Sequence, residues 1–163
     1  YDLDVVAFFF FLDGKVRDLG WDGAGNATLR DSDVIFFNNL YHRSGNIRLT
    51  GDNRTGAGDG DDEQIIVKLN SLSNDYQKIV FIVQIYEGIK NNQHFGQVDN
   101  AFIRAVDASG KEMVRFDLSG KGYDQQRSLL FAELVREING WKFNALGQSS
   151  ASDNFLEWLK EYV

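Results

Sequence analysis

The 163-residue sequence contains no cysteine and no proline. The absence of cysteine excludes disulfides, thiolate metal ligands and thiol catalysis. The absence of proline excludes a proline-rich linker or polyproline ligand. Histidine occurs only as His42 and His94, and we interpret both as surface or turn residues rather than general bases. Because no serine-nucleophile, zinc-helix or kinase-loop motif is present, we predict a protein that is not an enzyme.

Basic residues are also scarce, with 17 Lys and Arg against 24 Asp and Glu, a net charge of −7. Residues 50–63 read TGDNRTGAGDGDDE, and we name this segment the acidic loop. Five acids and one arginine give it a net charge of −4. Such a loop repels the phosphate backbone, and no basic stripe elsewhere compensates for it. The charge pattern therefore excludes nucleic acid as a partner.

An apolar run at residues 5–12, VVAFFFFL, is too short to span a bilayer. It lacks the basic flank and the cleavage site of a signal peptide. We therefore predict a buried strand here, no integral membrane segment and a cytoplasmic location.

Runs rich in β-branched and aromatic residues recur along the chain, separated by turn signals such as Asn139-Gly140. Strands are predicted at residues 3–12, 33–39, 47–49, 64–69, 78–86, 98–107, 112–117, 129–138 and 141–145. A short helix is predicted to follow, with Asn154 as its N-cap and Glu157 as its capping-box partner. We expect this helix to cover an open end or edge of the fold. The pattern predicts one all-β domain over residues 1–163, a two-sheet β-sandwich with a short C-terminal helix.

The acidic loop is the strongest functional signal. Ca²⁺ takes six to eight oxygens from carboxylates, amides and backbone carbonyls, and the loop supplies all three kinds. Its spacing is not that of an EF-hand, so a solvated acidic turn is the alternative. Asp2 and Asp4 lie on one face of a predicted strand, about 6.6 Å apart along it. Asn38 and Asn39 end another predicted strand, where asparagines also form turns. The lack of thiolate and imidazole donors in these segments favours Ca²⁺ over Zn²⁺ or Cu²⁺.

These residues together resemble the TerD family, the tellurium-resistance and general stress proteins of bacteria. The matching blocks are YDLD at residues 1–4, DVIFFNNL at 33–40, the acidic loop, FGQV at 95–98, NAFIR at 100–104, FDL at 116–118, WKF at 141–143 and LGQ at 146–148. The resemblance covers nearly the whole chain, and the acidic loop is its most specific part.

The resemblance implies a β-sandwich that binds Ca²⁺, with two ions held by loops at one end. It also implies a role in stress resistance without a catalytic step, and other stress-response proteins as partners. The ligand region carried over from the family is Asp2, Asp4, Asn38, Asn39, Asp52, Asn53, Asp59, Asp61, Asp62 and Glu63, with backbone carbonyls such as that of Gly58. Asp33 and Asp99 are second-tier candidates.

The sequence departs from the family at its N-terminal side. Family members usually carry a segment ending in GLGWD before the Asp-x-Asp block, whereas here LGWD occurs downstream, at residues 19–22. It lies in an apparent insertion, residues 19–29. We expect Trp21 in the core rather than on an exposed loop, and Asp22 is then a further candidate ligand. We also expect that upstream residues are missing, which would leave an open sheet edge and favour a homo-oligomer.

Two other functions compete with a stress-response module. A calcium-dependent small-ligand or carbohydrate-binding module would present exposed aromatic residues near the acidic loop, and Tyr41, Tyr86 and Trp21 are the candidates. A metal-dependent hydrolase could use paired carboxylates, but the motif has no neighbouring histidine or lysine to act as acid or base.

Overall fold

A computed structural model describes residues 3–50, 64–97, 102–118 and 123–160. The strands are β1 (Leu3–Phe10), β2 (Val34–Ile35), β3 (Ile47–Leu49), β4 (Ile65–Val67), β5 (Lys78–Ile85), β6 (Phe102–Val106), β7 (Glu112–Asp117), β8 (Ser128–Glu137) and β9 (Gly140–Ser150). One short helix, α1 (Leu156–Leu159), follows the last strand, and two 3-10 turns cover Leu69–Ser71 and Phe95–Gln97.

Five strands form the central antiparallel sheet, in the order β2-β1-β5-β8-β9. Strands β1 and β5 pair over eight residues each, from Leu3 opposite Ile85 to Phe10 opposite Lys78. Both strands are rich in Val, Ile and Phe, and most of their side chains are buried on both faces. Side chains of alternate residues therefore enter two different cores, one on each side of the sheet.

The first core lies between the central sheet and two hairpins, β3–β4 and β6–β7. Ala7 and Phe9 of β1 share one buried cluster with Ile47 of β3. Phe131 of β8 packs against Phe116 of β7, with ring centroids 5.6 Å apart. The two hairpins thus form the second layer of a β-sandwich, and the predicted fold class is confirmed, with this layer divided in two.

The second core lies on the opposite face of the sheet. Val6 and Phe8 of β1 and Ile82 of β5 pack there with Phe155 and Leu159 of the C-terminal segment. The predicted helix exists, but it covers a sheet face rather than an end or edge. The physical reason is that its apolar residues Phe155 and Leu159 are buried against the apolar side chains that β1 and β5 present on this face.

The capping box predicted for the helix forms only in part. The side-chain oxygen of Asn154 accepts a hydrogen bond from the Leu156 amide at 3.0 Å. The Asn154 amide donates instead to the hydroxyl of Ser152, at 3.1 Å, a role that the prediction assigned to Glu157. The serine is closer in sequence and satisfies this donor before the helix begins.

Several predicted strands differ in length from those observed, and two of these differences have a clear structural cause. The strand predicted at residues 33–39 ends at Ile35, because Phe36 and Asn39 exchange backbone hydrogen bonds of 3.3 and 2.9 Å and close a tight turn. Strand β9 continues past Ala145 to Ser150, because its last residues pair with the beginning of β8, where Ser150 lies opposite Ser128. In the described parts of the chain, no helix is long and apolar enough to cross a membrane.

Candidate functional site

A row of polar side chains interrupts the second core at one end of the central sheet. Asp4 lies directly opposite Gln84, and Gln84 lies opposite Ser128, on three neighbouring strands. We name this place the Asp4 end. Asp4 is 2% exposed, Gln84 is 4% exposed and Ser128 is fully buried. Burial of a carboxylate and an amide here is costly unless each finds a polar or charged partner.

The Asn38-Asn39 pair follows β2 and lies toward the Asp4 end of the sheet. Since β2 runs antiparallel to β1, the chain after β2 leads toward the beginning of β1, where Asp4 lies. The ring of Phe37 in this turn contacts the ring of Tyr86, which follows β5, at 5.5 Å. The turn therefore reaches the same end of the sheet as Asp4 and Gln84.

The two asparagines differ in their surroundings. Asn38 is exposed, whereas Asn39 is buried. The side-chain nitrogen of Asn39 donates to the Val34 carbonyl at 2.7 Å and to the Ser32 carbonyl at 3.3 Å. These bonds fix the amide so that its oxygen is the atom suited to a cation. Asn39 thus has the structural role that the turn alternative predicted.

The residues that flank the acidic loop lie beside this turn. Leu49 donates a backbone hydrogen bond to Leu40 at 2.8 Å, one residue before Thr50. Thr50 and Gln64 are joined by a backbone hydrogen bond of 2.8 Å and by a bond from the Gln64 amide to the Thr50 hydroxyl at 3.0 Å. The acidic loop therefore begins and ends close to the Asn38-Asn39 turn.

Most of the predicted ligands lie outside the described residues. They are Asp2, Asp52, Asn53, Gly58, Asp59, Asp61, Asp62 and Glu63, together with Asp99. Within the described ranges, no three Asp, Glu, His or Cys side chains gather closely enough to hold a metal ion. Asp4, Asn38 and Asn39 are the predicted ligands whose surroundings the structure describes.

The donor set at the Asp4 end fits a hard cation. The carboxamide oxygen of Gln84 is buried and has no hydrogen-bond partner. A cation bound by the neighbouring Asp4 carboxylate would satisfy this oxygen, because Ca²⁺ accepts carboxylate and amide oxygens together. Sequence reasoning missed Gln84, although it is the one amide in the otherwise apolar centre and end of β5.

A second polar cluster, centred on Asp33, is a closed network rather than a ligand site. One carboxylate oxygen of Asp33 accepts hydrogen bonds from His42 at 2.8 Å, Arg43 at 3.0 Å and Tyr76 at 2.7 Å. The other accepts from the Asp18 amide at 3.3 Å. The second-tier assignment of Asp33 as a metal ligand is therefore wrong, because both of its oxygens are already occupied by donors.

The ionisation of this cluster follows from its contacts. Burial alone would raise the pKa of Asp33, but the hydrogen bonds from His42 and Tyr76 and the charge of Arg43 outweigh burial and lower it. Burial and the hydrogen bond to Asp33 raise the pKa of Tyr76, so its hydroxyl remains a donor. A charged Asp33 carboxylate is thus stabilised inside the protein.

Both histidines were expected as surface or turn residues, and the structure buries both while placing each at the start of a turn. The carbonyl of His42 accepts a bond from the Gly45 amide at 2.9 Å, and that of His94 accepts one from the Gln97 amide at 3.1 Å. His42 is 3% exposed and His94 is 6% exposed. The Ser44 amide donates to Nδ1 of His42 at 3.2 Å, so Nε2 carries the proton donated to Asp33. His94 accepts a hydrogen bond from the Gln125 amide through Nδ1 at 3.2 Å. Both rings have structural partners, which argues against a role as general base.

The insertion at residues 19–29 forms a compact hairpin-like loop. Backbone bonds join Leu29 to Leu19 at 2.8 Å and Thr28 to Gly20 at 3.0 Å. Trp21 at its surface is 59% exposed, so the expectation that it fills the core is wrong. Asp22 accepts bonds from the amides of Ala24 and Asn26 at 2.9 and 2.8 Å, and its carboxylate therefore stabilises the loop rather than a cation site.

The structure defines an all-β protein with antiparallel sheets. One end of its central sheet carries polar side chains and lies beside the residues that flank the acidic loop. A family model for the TerD domain matches residues 1–162. The chain belongs to the TerD family of tellurium-resistance and stress-response proteins, which confirms the resemblance.

Individual relatives agree with this assignment. The chain is 63% identical to the tellurium resistance protein TerX of Serratia marcescens over 164 residues, 100% of this chain and 77% of that protein. It is 43% identical to TerD of the same species, covering 93% of this chain and 72% of that protein. A crystal structure of a telluride resistance (TerD) homologue, SCO6318 from Streptomyces coelicolor, superposes with a TM-score of 0.72, at 22% identity, over 95% of this chain and 82% of that one.

Proposed function

We propose that this protein is a calcium-binding, non-catalytic stress-response protein. In this proposal Ca²⁺, as two ions, orders the acidic loop against the Asp4 end and shapes a surface for other stress-response proteins. The supporting observation is the buried Asp4 carboxylate, which shares its end of the sheet with the Asn38-Asn39 turn and the flanks of the acidic loop. A divalent cation would offset the mutual repulsion of five loop acids, which is strong at short range.

The absence of chemistry at the histidines supports a role without catalysis. His42 and His94 are buried and engaged by Asp33, Ser44 and Gln125. The sequence has no cysteine, so tellurite reduction by a thiol of this chain is excluded. Resistance would then arise from binding to other proteins in the cytoplasm, through a surface that calcium orders.

Thermal unfolding of the whole chain in excess calcium and in a chelator tests the proposal. A ligand at a hundredfold excess over its dissociation constant stabilises the folded state by about 2.7 kcal/mol. For a domain of this size that corresponds to a rise of roughly 5–11 °C in Tm. Asp61→Asn should reduce this rise, whereas the exposed Asp75→Asn should leave it unchanged. Equal melting temperatures in calcium and in chelator would refute calcium binding.

A calcium-dependent carbohydrate- or small-ligand-binding module is a second candidate, and the exposure of Trp21 favours it. Trp21 borders a cavity of about 440 Å³ that is also lined by Asp18, Thr28 and Arg30. An exposed indole beside hydrogen-bonding side chains suits the stacking of a sugar ring. A glycan screen in the presence of calcium tests this candidate. If no glycan binds, or if every glycan that binds also binds the Trp21→Ala variant, the result counts against it.

A further inference from the structure

Gln84 stands out because its carboxamide oxygen is buried and receives no hydrogen bond. Its side chain is 4% exposed, in a strand whose other central residues are apolar. An acceptor left without a donor in such a place destabilises the folded protein relative to the unfolded chain, in which water hydrates that oxygen. A residue that carries this cost in the free protein is a candidate for a contact made only when a ligand is present.

The neighbours of Gln84 restrict what that ligand can be. On one side, Ser128 accepts a hydrogen bond from the indole nitrogen of Trp158 at 3.1 Å and supplies no donor to the Gln84 oxygen. On the other side lies Asp4, at the directly opposite position of β1. Side chains of such opposite pairs start from Cβ atoms about 4.5–5.5 Å apart. Two oxygen acceptors, one of them charged, thus share a buried place.

We propose that the carboxamide oxygen of Gln84 is a ligand of a Ca²⁺ ion bound by Asp4. The inference rests on the proposed calcium binding and adds a ligand from the central strand of the sheet, β5, outside the loops. A cation fits better than a neutral donor because it can bind the unmet amide oxygen of Gln84 and the neighbouring carboxylate of Asp4 together.

A neutral ligand has a physical advantage at this position. A second carboxylate opposite Asp4 would repel it strongly in the metal-free protein, since the effective dielectric constant is low in a buried site. An amide oxygen binds Ca²⁺ without adding that repulsion. Gln84 therefore lets the sheet fold before the ion arrives and still completes the shell afterwards.

Calcium titration calorimetry on the whole chain tests the inference with the near-isosteric Gln84→Met. Loss of one amide ligand should weaken one calcium site about tenfold. The metal-free Tm should stay the same or rise, because the unmet acceptor is removed. The control is Gln148→Met, the same change at an exposed position of β9, which should leave affinity unchanged.

A second variant keeps the test decisive if Gln84→Met fails to fold. Gln84→Glu should tighten calcium binding and lower the metal-free Tm, because it adds a charged ligand opposite Asp4. If wild type binds calcium and both variants bind with wild-type affinity, Gln84 is not a ligand while the proposed function stands. A Gln84→Met variant that loses metal-free stability but no affinity overturns the inference in favour of a structural amide. If wild type itself binds no calcium, the proposed function fails and the inference fails with it.

Discussion

Replacing Asp33 by asparagine should destabilise the protein severely, although Asp33 lies outside the proposed calcium site. Its carboxylate is fully buried and accepts four hydrogen bonds, three of them on one oxygen, from His42, Arg43 and Tyr76. Asparagine retains one acceptor oxygen but carries no charge. Its NH₂ group replaces the other oxygen and faces a hydrogen-bond donor where the carboxylate offered an acceptor. Arg43 is then left without its buried counter-charge.

The magnitude follows from the number and type of contacts. Removal of one partner from a buried ion pair costs about 3–5 kcal/mol. Because Arg43 also pairs with the Asp18 carboxylate at 2.9 Å and part of it is exposed, the lower value applies. A loss of about 3 kcal/mol lowers the Tm of a domain of this size by roughly 6–12 °C.

Urea unfolding followed by tryptophan fluorescence measures this loss, with exposed Asp75→Asn as a control that should change the free energy of unfolding by less than about 0.5 kcal/mol.

The pKa of Asp33 is lower in the folded state than its ordinary value of 3.8. Its ionisation therefore contributes stability that is fully present above about pH 4–5 and is lost as the pH falls through the folded pKa. The gap between wild type and Asp33→Asn should narrow only in that acid range. A gap below about 1 kcal/mol at neutral pH would show that the network contributes little.

Two further predictions concern the insertion. Gly20 has a φ of +70°, and a Cβ there would clash with the Arg30 carbonyl oxygen, so Gly20→Ala should destabilise the protein by about 1–3 kcal/mol in urea unfolding. An unchanged stability would mean that this loop does not pack against Arg30. Trp21→Ala should change the free energy of unfolding by less than about 0.5 kcal/mol, because the indole is 59% exposed. A larger loss would indicate that Trp21 packs in the core after all.

Local sequence patterns predicted two strands closely, one an apolar run and one an alternation of exposed and half-buried residues. Residues 78–86 and 112–117 were expected as strands, and β5 and β7 occupy Lys78–Ile85 and Glu112–Asp117. The pattern failed at residues 33–39, where Phe36-Phe37 continues an apolar run but the chain turns. Hydrophobicity alone cannot distinguish a strand from a turn whose aromatic rings pack sideways against Phe155 and Tyr86.

The candidate site was predictable in its chemistry and only partly in its geometry. The acids and asparagines of the chain indicate oxygen ligands for a hard cation, and the lack of cysteine excludes softer metals. Asp33 was misassigned because its partners, His42 and Tyr76, follow it by 9 and 43 residues. Which donors reach a carboxylate depends on folding, and no local spacing encodes it.

The sequence by itself determined the all-β class, the helix at the C-terminal end, the family and the kind of atom available to a ligand, because these depend on residue type and short-range periodicity. The tertiary structure alone decided that Gln84 lies opposite Asp4, that Trp21 faces solvent and that His42 is buried against Asp33. These features depend on strand register and on which surfaces pack together, and both are set by contacts between residues far apart in the chain.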